Sequence, residues 1–156
     1  MQAETSLFLE DIVPGETRLT GAHTVTAEQI AAFAALTRDH HPLHTDAAYC
    51  RKRGFRTVIA HGLFGLSLME GLKTELRLYE TTSIASLGWD KVRFLRPIHA
   101  GDALTLRLRF LAARPSRQMG RGVITEFLEL CNQDGDVVIT AEHAALVLSR
   151  EAVPGA

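Results

Sequence analysis

The chain has only two cysteines, Cys50 and Cys131. They are too few and too far apart in sequence for a disulfide framework or a zinc signature. Net charge is scarce too: at −1 it removes the usual argument for a nucleic-acid or anionic-membrane partner. No segment reaches the ~20 consecutive apolar residues of a membrane-spanning helix. Residues 1–19 carry acids and only short apolar pieces, unlike a secretion signal. These absences point to a reduced, cytoplasmic protein that neither enters a membrane nor binds nucleic acid. No internal repeat, low-complexity tract or linker interrupts the sequence, so one domain is expected over 6–149, with loose tails at 1–5 and 150–156.

What is present is an ordinary core-forming composition, 46% hydrophobic and 22% charged, in 156 residues, enough to bury a core of normal size. Arginines cluster locally, as Arg51-Lys52-Arg53, Arg93/Arg96 and Arg114/Arg117/Arg121. Such groups read either as solvated loops or as a basic rim for a phosphorylated ligand. Residues 17–25 alternate weakly and fit a first strand. Thr26-Ala-Glu-Gln29 has the form of a capping box, and Ile30, Phe33, Ala34 and Thr37 follow at helical spacing. Pro42 stops that helix by His41, because the residue before a proline is pushed out of the helical region. One or two further helical turns are expected over 45–53.

From His61 to Leu78 apolar residues fall nearly all round a helix, which predicts burial on most sides. Gly62, Gly65 and Gly71 are costly there, so the helix backbone is expected to lie close to a sheet or a ligand. The period then changes to two: Leu104, Leu106, Leu108 and Phe110 alternate with Thr105, Arg107 and Arg109. Strand-length runs follow at 123–131 and 137–148, joined by the turn sequence Asn132-Gln-Asp-Gly135. Long antiparallel strands and one buried helix make an α+β fold, a single antiparallel sheet wrapped around a long central helix.

The most informative stretch is Leu36-Thr-Arg-Asp39-His-His41-Pro42-Leu-His44. It leaves an acid and a histidine on an irregular turn. Read alone, such a pair is ordinarily a helix-end cap and a surface histidine. The stretch resembles the hydratase motif of the MaoC-like (R)-specific enoyl-CoA hydratases, which have the hotdog fold. Ile59-Ala-His61-Gly62 looks like the start of that family's central helix, and Lys91 to Ile98 with Ala100-Gly101-Asp102 resembles its next strand and turn. The landmarks occur in the family's order. Two residues depart: Arg38 replaces the usual glycine, and His41 replaces the usual asparagine.

The resemblance implies a hydro-lyase acting on a CoA or acyl-carrier-protein thioester, with no cofactor and no metal. Hydration puts OH on C3 and H on C2 of a 2-enoyl group while charge builds on the thioester oxygen, so base, acid and oxyanion donor are all needed. Asp39 and His44 would hold the water, with Asp39 taking its proton and His44 donating to C2. Gly62 would offer its backbone N–H to the thioester oxygen. His41 either stands in for asparagine's hydrogen bonds or marks a different substrate. Glu70 and Gly71 would lie along the acyl pocket, or Glu70 is a salt-bridged or interface acid. Family subunits pair edge to edge, so a homodimer or higher oligomer is implied.

Two alternatives stand beside this reading. His61-Gly62 followed by Glu70 has the spacing of hotdog thioesterases, in which the helix acid drives hydrolysis. The changes at Arg38 and His41 would also suit a hotdog protein that binds acyl thioesters without turning them over. A metal held by Asp39, the neighbouring histidines His40, His41 and His44, and His61 is chemically possible but unnecessary for hydration.

Overall fold

The computed structural model describes residues 6–152. Six strands, β1 (Thr17–Leu19), β2 (His23–Thr24), β3 (Ser83–Phe94), β4 (Ala103–Pro115), β5 (Arg121–Cys131) and β6 (Val137–Leu148), form one antiparallel sheet. Their spatial order is β1-β4-β5-β6-β3, with β2 also paired to β4. Alternation decides which face is covered. Leu104, Leu106, Leu108 and Phe110 of β4 are fully buried, as are Ile124, Glu126, Leu128 and Leu130 of β5. Ile139, Ala141, His143, Ala145 and Val147 form the corresponding buried row on β6. Two ionisable residues, Glu126 and His143, thus occupy positions that the pattern assigns to aliphatic side chains.

Four helices accompany the sheet: α1 (Ala27–Thr37), α2 (Pro42–Thr45), α3 (Ala47–Lys52) and α4 (Gly62–Glu75). The Thr26/Gln29 capping box opens α1. The long helix α4 lies on the buried sheet face and completes the hotdog arrangement. Gly65 is the point of closest approach: a Cβ there would lie 2.3 Å from Ile139 Cδ1 and 3.0 Å from Ile98 Cδ1. The expected close backbone contact is therefore made with the sheet, at Gly65.

Four expectations need correction. The first strand is broken into β1 and β2. At the break, Thr20 is bonded to Leu106 through both its amide and its hydroxyl. Helix α4 ends at Glu75, and only one of its faces is covered: Phe64, Gly65, Met69, Leu72 and Lys73 are buried, whereas Leu63 is 62% exposed. A single sheet covers only the side it touches. Strand β3 begins at Ser83, well before the expected Lys91, and its exposed, bulged path shows no clean alternation. Finally, residues 150–152 are anchored. Arg150 forms an ion pair with Asp11 at 2.6 Å, donates its backbone N–H to Glu10 and lies over the Phe8 ring. Residues 1–5 and 153–156 lie outside the described residues.

Candidate active site

Helix α1 ends where Arg38 takes left-handed angles (φ 65°, ψ 13°). This turn is normally made by glycine, which explains the residue that Arg38 replaces in the family pattern. Just after this reversal, the Asp39 Oδ1 accepts the His41 N–H at 3.2 Å. His41 is the N-cap of α2: its Nδ1 accepts the Leu43 N–H at 3.2 Å, with Pro42 at the first helical position. An acceptor at this position is what asparagine would supply, so His41 performs the capping role here. Its ring is exposed.

His44, in the last turn of α2, is half-buried. Its Nδ1 donates to the Ile59 carbonyl oxygen at 2.7 Å, because a carbonyl can only accept. That bond leaves Nε2 with its lone pair, facing the Asp39 Oδ2 at 4.0 Å. Burial is the main reason that the His44 pKa is held below the ordinary histidine value, so the neutral ring prevails at neutral pH. A gap of 4.0 Å is too long for a direct hydrogen bond and suits one water touching both groups.

His61, buried at the N-cap of α4, stacks on His44 with ring centroids 3.6 Å apart. Its Nε2 donates to the Asp39 backbone oxygen at 2.9 Å, which ties the loop to the helix end. Ligand-type atoms of Asp39, His44 and His61 all lie within 4.8 Å of one another. The His61 Nε2 can ligate an ion only by giving up its bond to Asp39, since a protonated nitrogen has no lone pair to offer; its Nδ1 is buried without a hydrogen-bond partner. Gly62 opens α4, so its N–H belongs to the first turn, where no helical carbonyl is available. The helix N-terminus adds a partial positive charge.

These groups meet in a cleft of about 640 Å³. Asp39, His44, His61 and Gly62 supply its polar edge, and Phe33, Leu63, Phe94, Leu95, Ile98 and Ile139 supply most of its apolar wall. The structure thus brings together Asp39, His44 and Gly62. It does not bring Glu70 and Gly71 to them. Glu70 is eight residues along α4 from Gly62, ~12 Å at helical rise, and pairs with Lys73 at 3.1 Å. Gly71 is exposed, with nothing within 4 Å of where its Cβ would be. Phe94 was not singled out from the sequence, yet its ring covers Gly62 closely enough to lie 2.8 Å from an added Cβ.

A long helix laid on an antiparallel sheet, with Asp39, His44 and the Gly62 amide gathered at its N-terminal end, defines a hotdog protein. The comparisons agree. The family model described as MaoC like domain matches residues 11–128; the chain belongs to that family. It is 33% identical to the (R)-specific enoyl-CoA hydratase of Aeromonas caviae over 116 residues, 74% of this chain and 81% of that protein. It is also 33% identical to protein MaoC of Klebsiella aerogenes over 101 residues, 65% of this chain but only 30% of that protein. Among solved structures, the monoamine oxidase regulatory protein from Archaeoglobus fulgius superposes with a TM-score of 0.87 at 35% identity, covering 96% of this chain and 99% of the other.

The left-handed Arg38 gives a direct test. For a side chain this conformation costs roughly 1–2 kcal/mol, of which glycine's greater unfolded-state freedom returns about half. Arg38→Gly is expected to stabilise the fold by about 0.5–1 kcal/mol, read as a higher urea midpoint. A lower midpoint would mean that the arginine side chain itself secures the turn.

Proposed function

We propose that the protein adds water to a 2-enoyl thioester, giving a (R)-3-hydroxyacyl thioester, or catalyses the reverse dehydration. The observation that carries this reading is the pair of His44 Nε2 and Asp39 Oδ2, 4.0 Å apart at the edge of an apolar cleft and beside the Gly62 amide. Because the His44 ring is neutral and its Nδ1 proton is committed to Ile59, His44 must receive a proton before it can give one. Water bridging the two groups transfers a proton to Nε2 as its oxygen bonds to C3. The resulting imidazolium, stabilised by the Asp39 carboxylate, hands that proton to C2. Asp39 therefore orients the water and supports the charge, whereas the sequence alone suggested that it removes the proton. The Gly62 N–H meets the negative charge that gathers on the thioester oxygen.

The carrier is CoA or an acyl-carrier protein; the name of the Aeromonas caviae relative supports CoA. The edge strand β3, with Ile84, Leu87 and Phe94 exposed at 40–54%, is suited to pairing with a second copy. Glu70, paired with Lys73 away from the cleft, gives the thioesterase reading no geometric support.

Incubation with crotonyl-CoA is expected to yield 3-hydroxybutyryl-CoA, resolved by liquid chromatography. Free CoA as the product would restore the thioesterase reading, and binding without turnover would restore the non-catalytic one. Asp39→Asn, which keeps the shape and removes the charge, should lower kcat by roughly 100-fold or more while the thermal melt stays in place. Full activity in that variant would sink the assignment.

The pH dependence follows from the direction of the His44 shift. Protonation of Nε2 removes the acceptor, so kcat/KM is expected to fall on the acid side. Burial favours the neutral ring, so the midpoint of that limb lies below the ordinary histidine pKa of about 6.5. A limb above that value, or its persistence in His44→Gln, would assign the titration to another group.

A further inference from the structure

Behind the cleft lies a buried ionic cluster with no part in the chemistry above. Lys73 of α4 is 6% exposed, Glu126 of β5 is 0% and His143 of β6 is 1%. The Lys73 ammonium donates to Glu126 at 3.2 Å and forms an ion pair with Glu70 at 3.1 Å; it also lies 2.9 Å from His143 Nδ1, which is itself 3.2 Å from the Glu126 carboxylate. Tyr79 donates to the other Glu126 oxygen at 2.8 Å, and the far nitrogen of His143 bonds Ser86 Oγ at 2.8 Å. A second cavity of about 290 Å³ adjoins the cluster, and Glu70, Lys73, Ser86 and His143 make much of its wall polar.

The cluster sits where an acyl chain would lead. Gly62 and Lys73 are eleven residues apart on α4, ~16 Å at helical rise. Ile139 and His143 lie on the same face of β6, ~14 Å apart. Helix and strand therefore run side by side from the cleft to the cluster. The inner wall of the cleft is Ile98 and Ile139, packed against Gly65, with the fully buried Met69 further along the same helix. Aliphatic side chains at such a wall can shift to admit a few more carbons. The ionic cluster cannot, because a hydrocarbon pressed into it would strip buried charges of their partners.

We infer that Lys73, Glu126 and His143 restrict the substrate to short acyl groups by setting a charged stop behind the aliphatic end of the cleft. This inference rests on the hydratase reading and names its substrate class. The hydrocarbon is excluded by the chemistry of the stop and not by want of space, since the second cavity lies against the cluster. Glu70 belongs to the stop as the most exposed partner of Lys73.

The test is kcat/KM of the wild-type protein with crotonyl-, hexenoyl-, octenoyl- and decenoyl-CoA. The expected result is a fall of roughly 100-fold or more between crotonyl- and octenoyl-CoA. Comparable turnover of the two would overturn the inference and leave the hydratase reading standing. No turnover of any of the four by folded protein would overturn both. The double substitution Lys73→Met with Glu126→Gln removes both charges at nearly constant shape and is expected to raise the octenoyl-to-crotonyl ratio by roughly 10-fold. An unchanged ratio in folded double variant would overturn the role of the charges; if that variant does not fold, the wild-type series decides alone.

Discussion

The three residues Ile59 to His61 hold the site together. The Ile59 N–H bonds the Leu43 carbonyl at 3.0 Å, and the Ile59 carbonyl receives the His44 imidazole at 2.7 Å. The Ala60 N–H bonds the Ile98 carbonyl at 2.8 Å, and His61 reaches the Asp39 backbone at 2.9 Å. A few ångströms of extended chain thus join the β3–β4 connection, the loop after α1 and the start of α4. Each bond contributes only about 1 kcal/mol net, so their importance is positional. Proton transfer needs its groups placed to within hydrogen-bond tolerance, and no single element carries Asp39, His44 and Gly62 together.

The same segment accounts for the electronic state of the site. A carbonyl can only accept, so Ile59 selects the His44 tautomer and turns a lone pair toward Asp39. Partial burial then keeps the ring uncharged. The Asp39 side chain, more than half exposed, remains open to water and to an incoming ligand. One group is shielded and kept uncharged, and its neighbour is left open to water. That asymmetry lets a single water be held by two groups of different character, and it follows from backbone connectivity.

The interior behaves differently. Burial alone would push the Glu126 carboxyl pKa up. The His143 hydrogen bond, the Lys73 charge and the Tyr79 hydroxyl more than offset this and hold it below the ordinary value. Burial and the neighbouring Glu126 charge push the Tyr79 pKa up, keeping it a hydroxyl donor. A buried ionic group of this kind is weak support for stability but a rigid obstacle, because any partial disruption leaves an uncompensated charge. In a core otherwise dominated by apolar side chains, it marks where the space between helix and sheet stops being available to hydrocarbon.

How much could be read in the sequence followed from how local each feature is. The acid–histidine loop lies within Arg38–His44, and its turn, cap and spacing are contiguous, so it is legible in the sequence. The buried strands were equally visible, because period-two alternation in β4 needs no partner to be recognised. Edge strand β3 was largely missed: its face is uncovered and its path bulged, so nothing selects an alternating pattern along it. The burial of α4 was overestimated, since apolar residues all round a helix say nothing about how many layers cover it. Lys73, Glu126 and His143 carried a signal that went unread. Each is an ionisable residue at a core-facing position of a helix or strand, and none is informative until the other two are known to meet it. The acid–histidine pair of a site can lie in seven adjacent residues, whereas the buried charged cluster here is assembled from three elements that only the fold brings together.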